Sequence, residues 1–126
     1  KRGLVASCTS VGIGGIGVAL AKTAIGGQLG MKINLDDMYI DRVVEDSLSY
    51  ADDLIFSESQ GRFIVTVDPA KADLFEAALN TLPYSQIGMI TDDGMFTVFH
   101  SDEEYPLINT SIDELTESYK KTLRDY

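Results

Sequence analysis

The chain has a single cysteine, a single histidine and half as many basic as acidic residues, and no apolar run in it is long enough to cross a bilayer. Each shortage excludes something. One cysteine, Cys8, cannot form an internal disulfide, which favours a reducing compartment, and a lone thiol in an apolar stretch reads as a small buried hydrophobe. A net charge of −10, from 20 acids against 10 Lys and Arg, sets the surface against the phosphates of nucleic acid and against anionic membrane headgroups. No basic residues interleave with the aromatics, as nucleic-acid stacking requires, so the tyrosines and phenylalanines read as core and hairpin packing. Without a signal peptide or a membrane-length apolar run, the chain is expected to be soluble and cytoplasmic, with neither nucleic acid nor membrane as partner. No metal is expected either, since Asp52-Asp53 and Asp92-Asp93 lack the further oxygen ligands of a calcium loop. His100, close to Asp102, Glu103 and Glu104, reads as a solvated side chain. At 126 residues the chain is the size of one domain and can bury a core without metals or disulfides. It opens on Lys1-Arg2-Gly3, without methionine and straight into ordered-looking sequence, which is the pattern of a piece of something longer.

What is present is concentrated near the start. Thr9-Ser10-Val11-Gly12-Ile13-Gly14-Gly15-Ile16-Gly17 follows an apolar segment, Leu4–Cys8, and opens a run, Val18–Ile25, that reads as helix. A strand feeding a glycine-rich turn at a helix N-terminus gathers unpaired amides and the positive end of the helix dipole in one place, which suits a phosphate. The competing reading is that the glycines only let the helix pack close against a sheet. The same run also matches G-x-G-x-x-G, and Asp36 ends the next strand where a dinucleotide fold places its ribose-binding acid. Against an oxidoreductase of that kind, the chain finishes with an antiparallel hairpin and a helix, and shows no run of buried parallel strands.

Alternating elements continue along the chain with short links. Gly26-Gly27 and Gly30 stop the first helix, and Met31–Leu35 alternates like a half-buried strand. Asp36–Asp53 reads as two short helical pieces, with Asp46 or Ser47 as an N-cap. Leu54-Ile55-Phe56 leads into the polar loop Ser57–Arg62 and the strand Phe63–Val67. Asp68-Pro69 opens a helix over Ala70–Leu79. Ile87–Thr91 pairs with Met95–Phe99 through Asp92-Asp93-Gly94, a hairpin signal. Ser111-Ile112-Asp113-Glu114 opens a closing helix to about Leu123. The order β-α-β-α-β-α-β-β-α predicts an α/β sandwich with a mixed sheet. In the loop, Ser57-Glu58-Ser59-Gln60 reads either as a segment beside a site or as a turn satisfying its own backbone, and Arg62 as an ion-pair partner rather than a phosphate ligand.

Four features, in order, carry a resemblance: the glycine-rich helix start with Val18-Ala19-Leu20-Ala21; Gly26-Gly27-Gln28-Leu29-Gly30 followed by a strand; Leu54-Ile55-Phe56-Ser57-Glu58-Ser59-Gln60-Gly61-Arg62-Phe63; and Tyr84-Ser85-Gln86-Ile87-Gly88. The chain resembles, over nearly its whole length, the C-terminal lobe of the second synthase half of formylglycinamide ribonucleotide amidotransferases, also called phosphoribosylformylglycinamidine synthases, of purine biosynthesis. The resemblance implies an α/β fold like the C-terminal domain of aminoimidazole ribonucleotide synthetase-related proteins, and residues 1–126 as one lobe of a larger ligase that uses ATP and glutamine. It implies that ATP and Mg2+ are bound mainly by other domains, that this lobe holds no catalytic residue, and that its partners are the remaining synthase domains and a glutaminase domain or subunit. It further implies a substrate or nucleotide phosphate at Gly12, Gly14 and Gly15, and a loop Ser57, Glu58, Ser59, Gln60 facing the cleft between lobes. The family usually writes His-Asp-x-Ser-Asp-Gly-Gly-Leu where this chain has Thr9–Ile16, so the histidine and both aspartates are absent and only the backbone part of the site remains. The other class in play is a stand-alone module that binds a small metabolite without chemistry.

Overall fold

In the computed structural model, which describes residues 2–40, 51–101 and 104–121, the elements in chain order are β1 (Val5–Ser10), α1 (Gly15–Gly27), β2 (Gly30–Asn34), α2 (Ala51–Phe56), β3 (Phe63–Val67), α3 (Ala72–Leu79), β4 (Gly88–Thr91), β5 (Met95–Phe99), β6 (Ile108–Ser111) and α4 (Ile112–Lys121). Single 3-10 turns at Leu35–Asp37 and Pro69–Lys71 follow β2 and precede α3. The mixed-sheet α/β character read from the sequence holds. Asp46, Ser47, Asp102, Glu103 and the closing helix beyond Lys121 lie outside the described residues.

The described residues form two compact units, the first from residues 1–20 and 39–85, the second from 21–38 and 86–126. In the first, β1 and β3 pair antiparallel, with Cys8 opposite Val65 and Thr9 opposite Ile64. Ile64 is buried, while Cys8 and Phe63 on the other face are exposed. The expectation of a buried Cys8 therefore fails, because β1 sits in a two-stranded sheet and has only β3 beside it. Val11, Ile16, Ala19, Leu20, Leu54 and Ile55 complete the buried apolar set of this unit. Leu54 and Ile55 reach it because Leu54-Ile55-Phe56 is the end of α2 and not a loop entrance.

The second unit holds a four-stranded sheet in the order β4-β2-β5-β6. β2 runs parallel to β5 and antiparallel to β4, with Met31 opposite Phe96 and Ile33 opposite Val98. All four of these side chains are buried, so one face of the pleat forms the core, as strand alternation requires. On the opposite face the Lys32 ammonium lies 5.1 Å from the centroid of the Phe99 ring. The hairpin expected between β4 and β5 is not formed, because β2 lies between them. Asp92-Asp93-Gly94 still turns the chain, but across the first residue of β2. A β-carbon at Gly30 would stand 2.7 Å from the Met95 carbonyl oxygen and against the side chains of Thr91 and Asp93. Only glycine fits beneath that turn. β6, a short polar strand unread in the sequence, pairs antiparallel with β5 instead. Many aromatics also depart from their expected place in the core: Tyr39, Phe56, Phe63, Tyr84, Tyr105 and Tyr119 are exposed, and Phe96 is buried.

Local caps behave as read. Asp68 accepts from the Ala70 amide at 2.9 Å, but the turn it caps is the 3-10 turn Pro69–Lys71, and the α-helix expected from Ala70 begins at Ala72. At α4 the Glu114 amide donates to Ser111 Oγ at 3.1 Å, and the Glu114 carboxylate accepts from the Ser111 amide at 3.1 Å and from the Thr110 hydroxyl at 2.7 Å. This is a reciprocal capping box. Hydrogen bonding to Thr110, then to Ser111, holds the Glu114 carboxyl below the usual glutamate range. A carboxyl whose pKa is depressed in the folded state stabilises the fold above the unfolded pKa and loses that contribution as pH falls through the folded value. Glu114→Gln should therefore melt earlier than the parent at neutral pH and converge with it in acid, as thermal melts between pH 3 and 7 would show.

Candidate functional site

The glycine turn joins β1 to α1 and is held on three sides by the first unit. The Val11 amide donates to the Arg62 carbonyl at 2.9 Å, tying the end of β1 to the start of β3. The Gly15 amide donates to the Gly12 carbonyl at 2.9 Å and closes the turn. Gly14 and Gly15 have φ of 84° and 69°, in the left-handed region where a side chain is strained. A β-carbon on Gly15 would stand 2.6 Å from the Phe56 carbonyl carbon and press on the Ile55 carbonyl oxygen; one on Gly14 would lie 2.9 Å from Val18 Cβ. Close packing thus accounts for Gly15, with a correction of partner: the helix start packs on the C-terminal end of α2, not on a sheet, whereas at Gly14 the positive φ and the Val18 side chain of α1 itself are what a β-carbon would meet.

Gly12 differs. It is exposed, has no positive φ, and a β-carbon built on it meets nothing within 4 Å. Neither the turn nor the neighbouring structure demands glycine there. The adjoining Ile13 is 88% exposed, so the tip of the turn is open to solvent.

The two stretches singled out in the sequence meet. Glu58 Oε1 accepts from the Gly14 amide at 2.9 Å, bridging 44 residues of chain. Its loop is shaped by Arg62, whose Nη2 donates to the Ser57 carbonyl and whose Nε donates to the Ser59 carbonyl at 3.3 Å. The Ser57 and Ser59 hydroxyls share a hydrogen bond of 2.8 Å, and the Ser57 amide donates to the Asp53 carbonyl at 3.0 Å. Gln60 is exposed at the loop tip. Arg62, read as an ion-pair partner, instead clasps two backbone carbonyls, and burial pushes its guanidinium below the ordinary arginine value. Ile55 and Phe56 were not singled out in the sequence as part of the site. Their role is to offer backbone for Gly15 to lie against, and no residue-type pattern records that.

His100 and Asp36 stand apart from this site, in the second unit. The imidazole Nδ1 lies 2.7 Å from Asp36 Oδ1, at an angle outside hydrogen-bond geometry, and the Ser101 amide donates to Asp36 Oδ2 at 2.8 Å. His100 is thus held against a carboxylate rather than freely solvated. Asp36 fastens the ends of β2 and β5, and β1 and β2 belong to different sheets. Together these overturn the dinucleotide reading, which needs β1 and β2 side by side and parallel with the acid free for a ribose. Among the described residues no group of three or more His, Cys, Asp and Glu side chains is placed to hold a metal ion, and no helix is long and apolar enough to cross a membrane.

The fold and site define an α/β domain built around a glycine turn at a helix start. The chain belongs to the family described as AIR synthase related protein, C-terminal domain, whose model matches residues 1–101. It is 35% identical over 98% of its length to the phosphoribosylformylglycinamidine synthase subunit PurL of Limosilactobacillus reuteri strain DSM 20016, of which it spans 14%. Among solved structures it is similar to Thermotoga maritima PurL complexed with FGAR, with TM-score 0.74 and 22% identity over 90% of this chain and 18% of that one. A thiamine-monophosphate kinase from Stenotrophomonas maltophilia shares the fold more loosely, with TM-score 0.67 and 19% identity over 77% of this chain and 32% of that one. The resemblance read from the sequence is borne out.

The glycines should separate by substitution. Gly15→Ala, combining left-handed strain with overpacking against backbone, should cost on the order of 1–3 kcal/mol. Gly12→Ala should leave stability unchanged or raise it by about 0.4–1 kcal/mol through the unfolded chain. Thermal or urea melts of the two variants would check the ordering.

Proposed function

We propose that the chain is the C-terminal lobe of the second synthase half of a phosphoribosylformylglycinamidine synthase, acting in the ATP- and glutamine-dependent conversion of formylglycinamide ribonucleotide to its amidine. The observation that carries this reading is 35% identity to a PurL subunit sustained over 98% of the chain. In such a synthase ATP phosphorylates the substrate amide oxygen, and ammonia from glutamine then displaces phosphate. On this reading the metal, the chemistry of ATP and the glutaminase belong to the rest of the enzyme, its domains or subunits. The lobe alone is inactive. A cytoplasmic setting accords with this role.

Within the lobe, the turn at Gly12, Gly14 and Gly15 takes a phosphate of the ribonucleotide or nucleotide, and the loop Ser57–Gln60 borders the same place. Backbone amides at a helix start bind phosphate without a basic side chain, which suits a turn that has none. The open surface over Gly12 supports this, since a glycine that nothing in the chain requires fits close approach of a ligand to the backbone. In the full-length enzyme Gly12→Ala should raise KM for the ribonucleotide or for ATP several-fold while the melting temperature holds or rises. Unchanged KM and kcat would refute the phosphate reading. Turnover of ATP, substrate and ammonia by the purified 126-residue chain would refute the assignment of catalysis to the other domains.

A further inference from the structure

We infer that Glu58 is a displaceable internal anion: its carboxylate holds the Gly14 amide until a phosphate takes the turn, and Arg62 is the positioning residue that presents it. This rests on the phosphate reading above and adds to it a competitor within the chain. The contact links residues 44 apart and pairs an anionic oxygen with an amide of the turn, at 2.9 Å. Its geometry is imposed from behind. Arg62 donates to the carbonyls of Ser57 and Ser59, the two residues flanking Glu58, so the backbone on either side of the glutamate is pinned by one guanidinium. The Arg62 carbonyl in turn accepts from Val11, immediately before the turn. Loop and turn are therefore fastened to each other through the backbone, while the Glu58 side chain is exposed and can swing away.

The strength of the contact fits displacement. A carboxylate at an exposed helix start is worth about two- to five-fold in an equilibrium constant. That is enough to occupy the amide in the absence of ligand and too little to exclude a dianion with three acceptor oxygens. When phosphate binds, like charge drives the carboxylate out, and the loop Ser57–Arg62 registers the event although no side chain of the turn has moved.

The test is an amide-resolved NMR titration of the chain with inorganic phosphate, using the parent, Glu58→Gln and Arg62→Lys. Without phosphate, Glu58→Gln should shift the Gly14 amide resonance, and Arg62→Lys should shift it part of the way in the same direction. With phosphate, Glu58→Gln should bind about two- to five-fold more tightly than the parent. An unmoved Gly14 resonance in Glu58→Gln overturns the contact, and one unmoved in Arg62→Lys overturns the positioning role. Equal or weaker phosphate binding by Glu58→Gln overturns the competitor while leaving the phosphate reading intact. Binding by neither protein, with Gly14 still shifted in Glu58→Gln, sinks the phosphate reading and reduces Glu58 to a helix cap.

Discussion

The close approach of Gly15 to the carbonyl end of α2 is the constraint on which the site depends. Backbone meets backbone there, with no room for a β-carbon between the start of α1 and the last residues of α2. The contact delivers the segment after α2, Ser57-Glu58-Ser59, to the mouth of the glycine turn. Gly17, two residues further along α1, also faces Ile55. The family match over residues 1–101 covers the whole of this arrangement.

Electrostatics then separates what the chain repels from what it can hold. A net charge of −10 acts at long range and is screened over roughly 8 Å at physiological salt. Amide dipoles act at contact and are indifferent to net charge. An acidic lobe can therefore turn away polyanions and still hold one phosphate, provided the donors are fixed backbone groups and the nearest carboxylate is mobile. Glu58 meets that condition because its grip is a single exposed hydrogen bond. The histidine and the two aspartates of the His-Asp-x-Ser-Asp pattern that the resemblance sets before the double glycine are replaced here by Thr9, Ser10 and Ile13, so the carboxylate that meets the turn comes from another segment of chain.

Local chemistry was legible in the sequence wherever the answer was local. Ser111 and Glu114 announce their helix because both halves of the capping box lie within four residues. Asp68-Pro69 announces the 3-10 turn that leads into α3, and β3 falls on the apolar run Phe63–Val67. The failures are non-local. Asp92-Asp93-Gly94 carries an ordinary hairpin signal, and nothing within it reveals that β2 enters between the arms. Ile-Asn-Thr-Ser at β6 is too short and too polar to alternate visibly, and becomes a strand only because β5 offers an edge. At the site, spacing identified the glycines as a group but not their separate duties. Gly15 is required by α2, which is remote in sequence, Gly14 by its positive φ and the neighbouring Val18, and Gly12 by nothing in the chain. The loop Ser57–Gln60 was singled out, while its hydrogen bond to Gly14 was beyond reach of any pattern.

The insertion of β2 beneath the turn at residues 92–94 makes Gly30 a gauge for strand alignment. Its neighbours, Leu29 and Met31, both carry β-carbons, and the Met95 carbonyl leaves no height for one. Sliding β2 by one residue in either direction would jam a side chain under the turn, at the same moment that it carried Met31 and Ile33 to the wrong face of the pleat. Steric stop and hydrophobic alternation thus enforce the same alignment from independent causes. The central strand is indexed at its first residue, like a key whose shoulder meets the lock plate, and the parallel pairing with β5 inherits its phase from that stop.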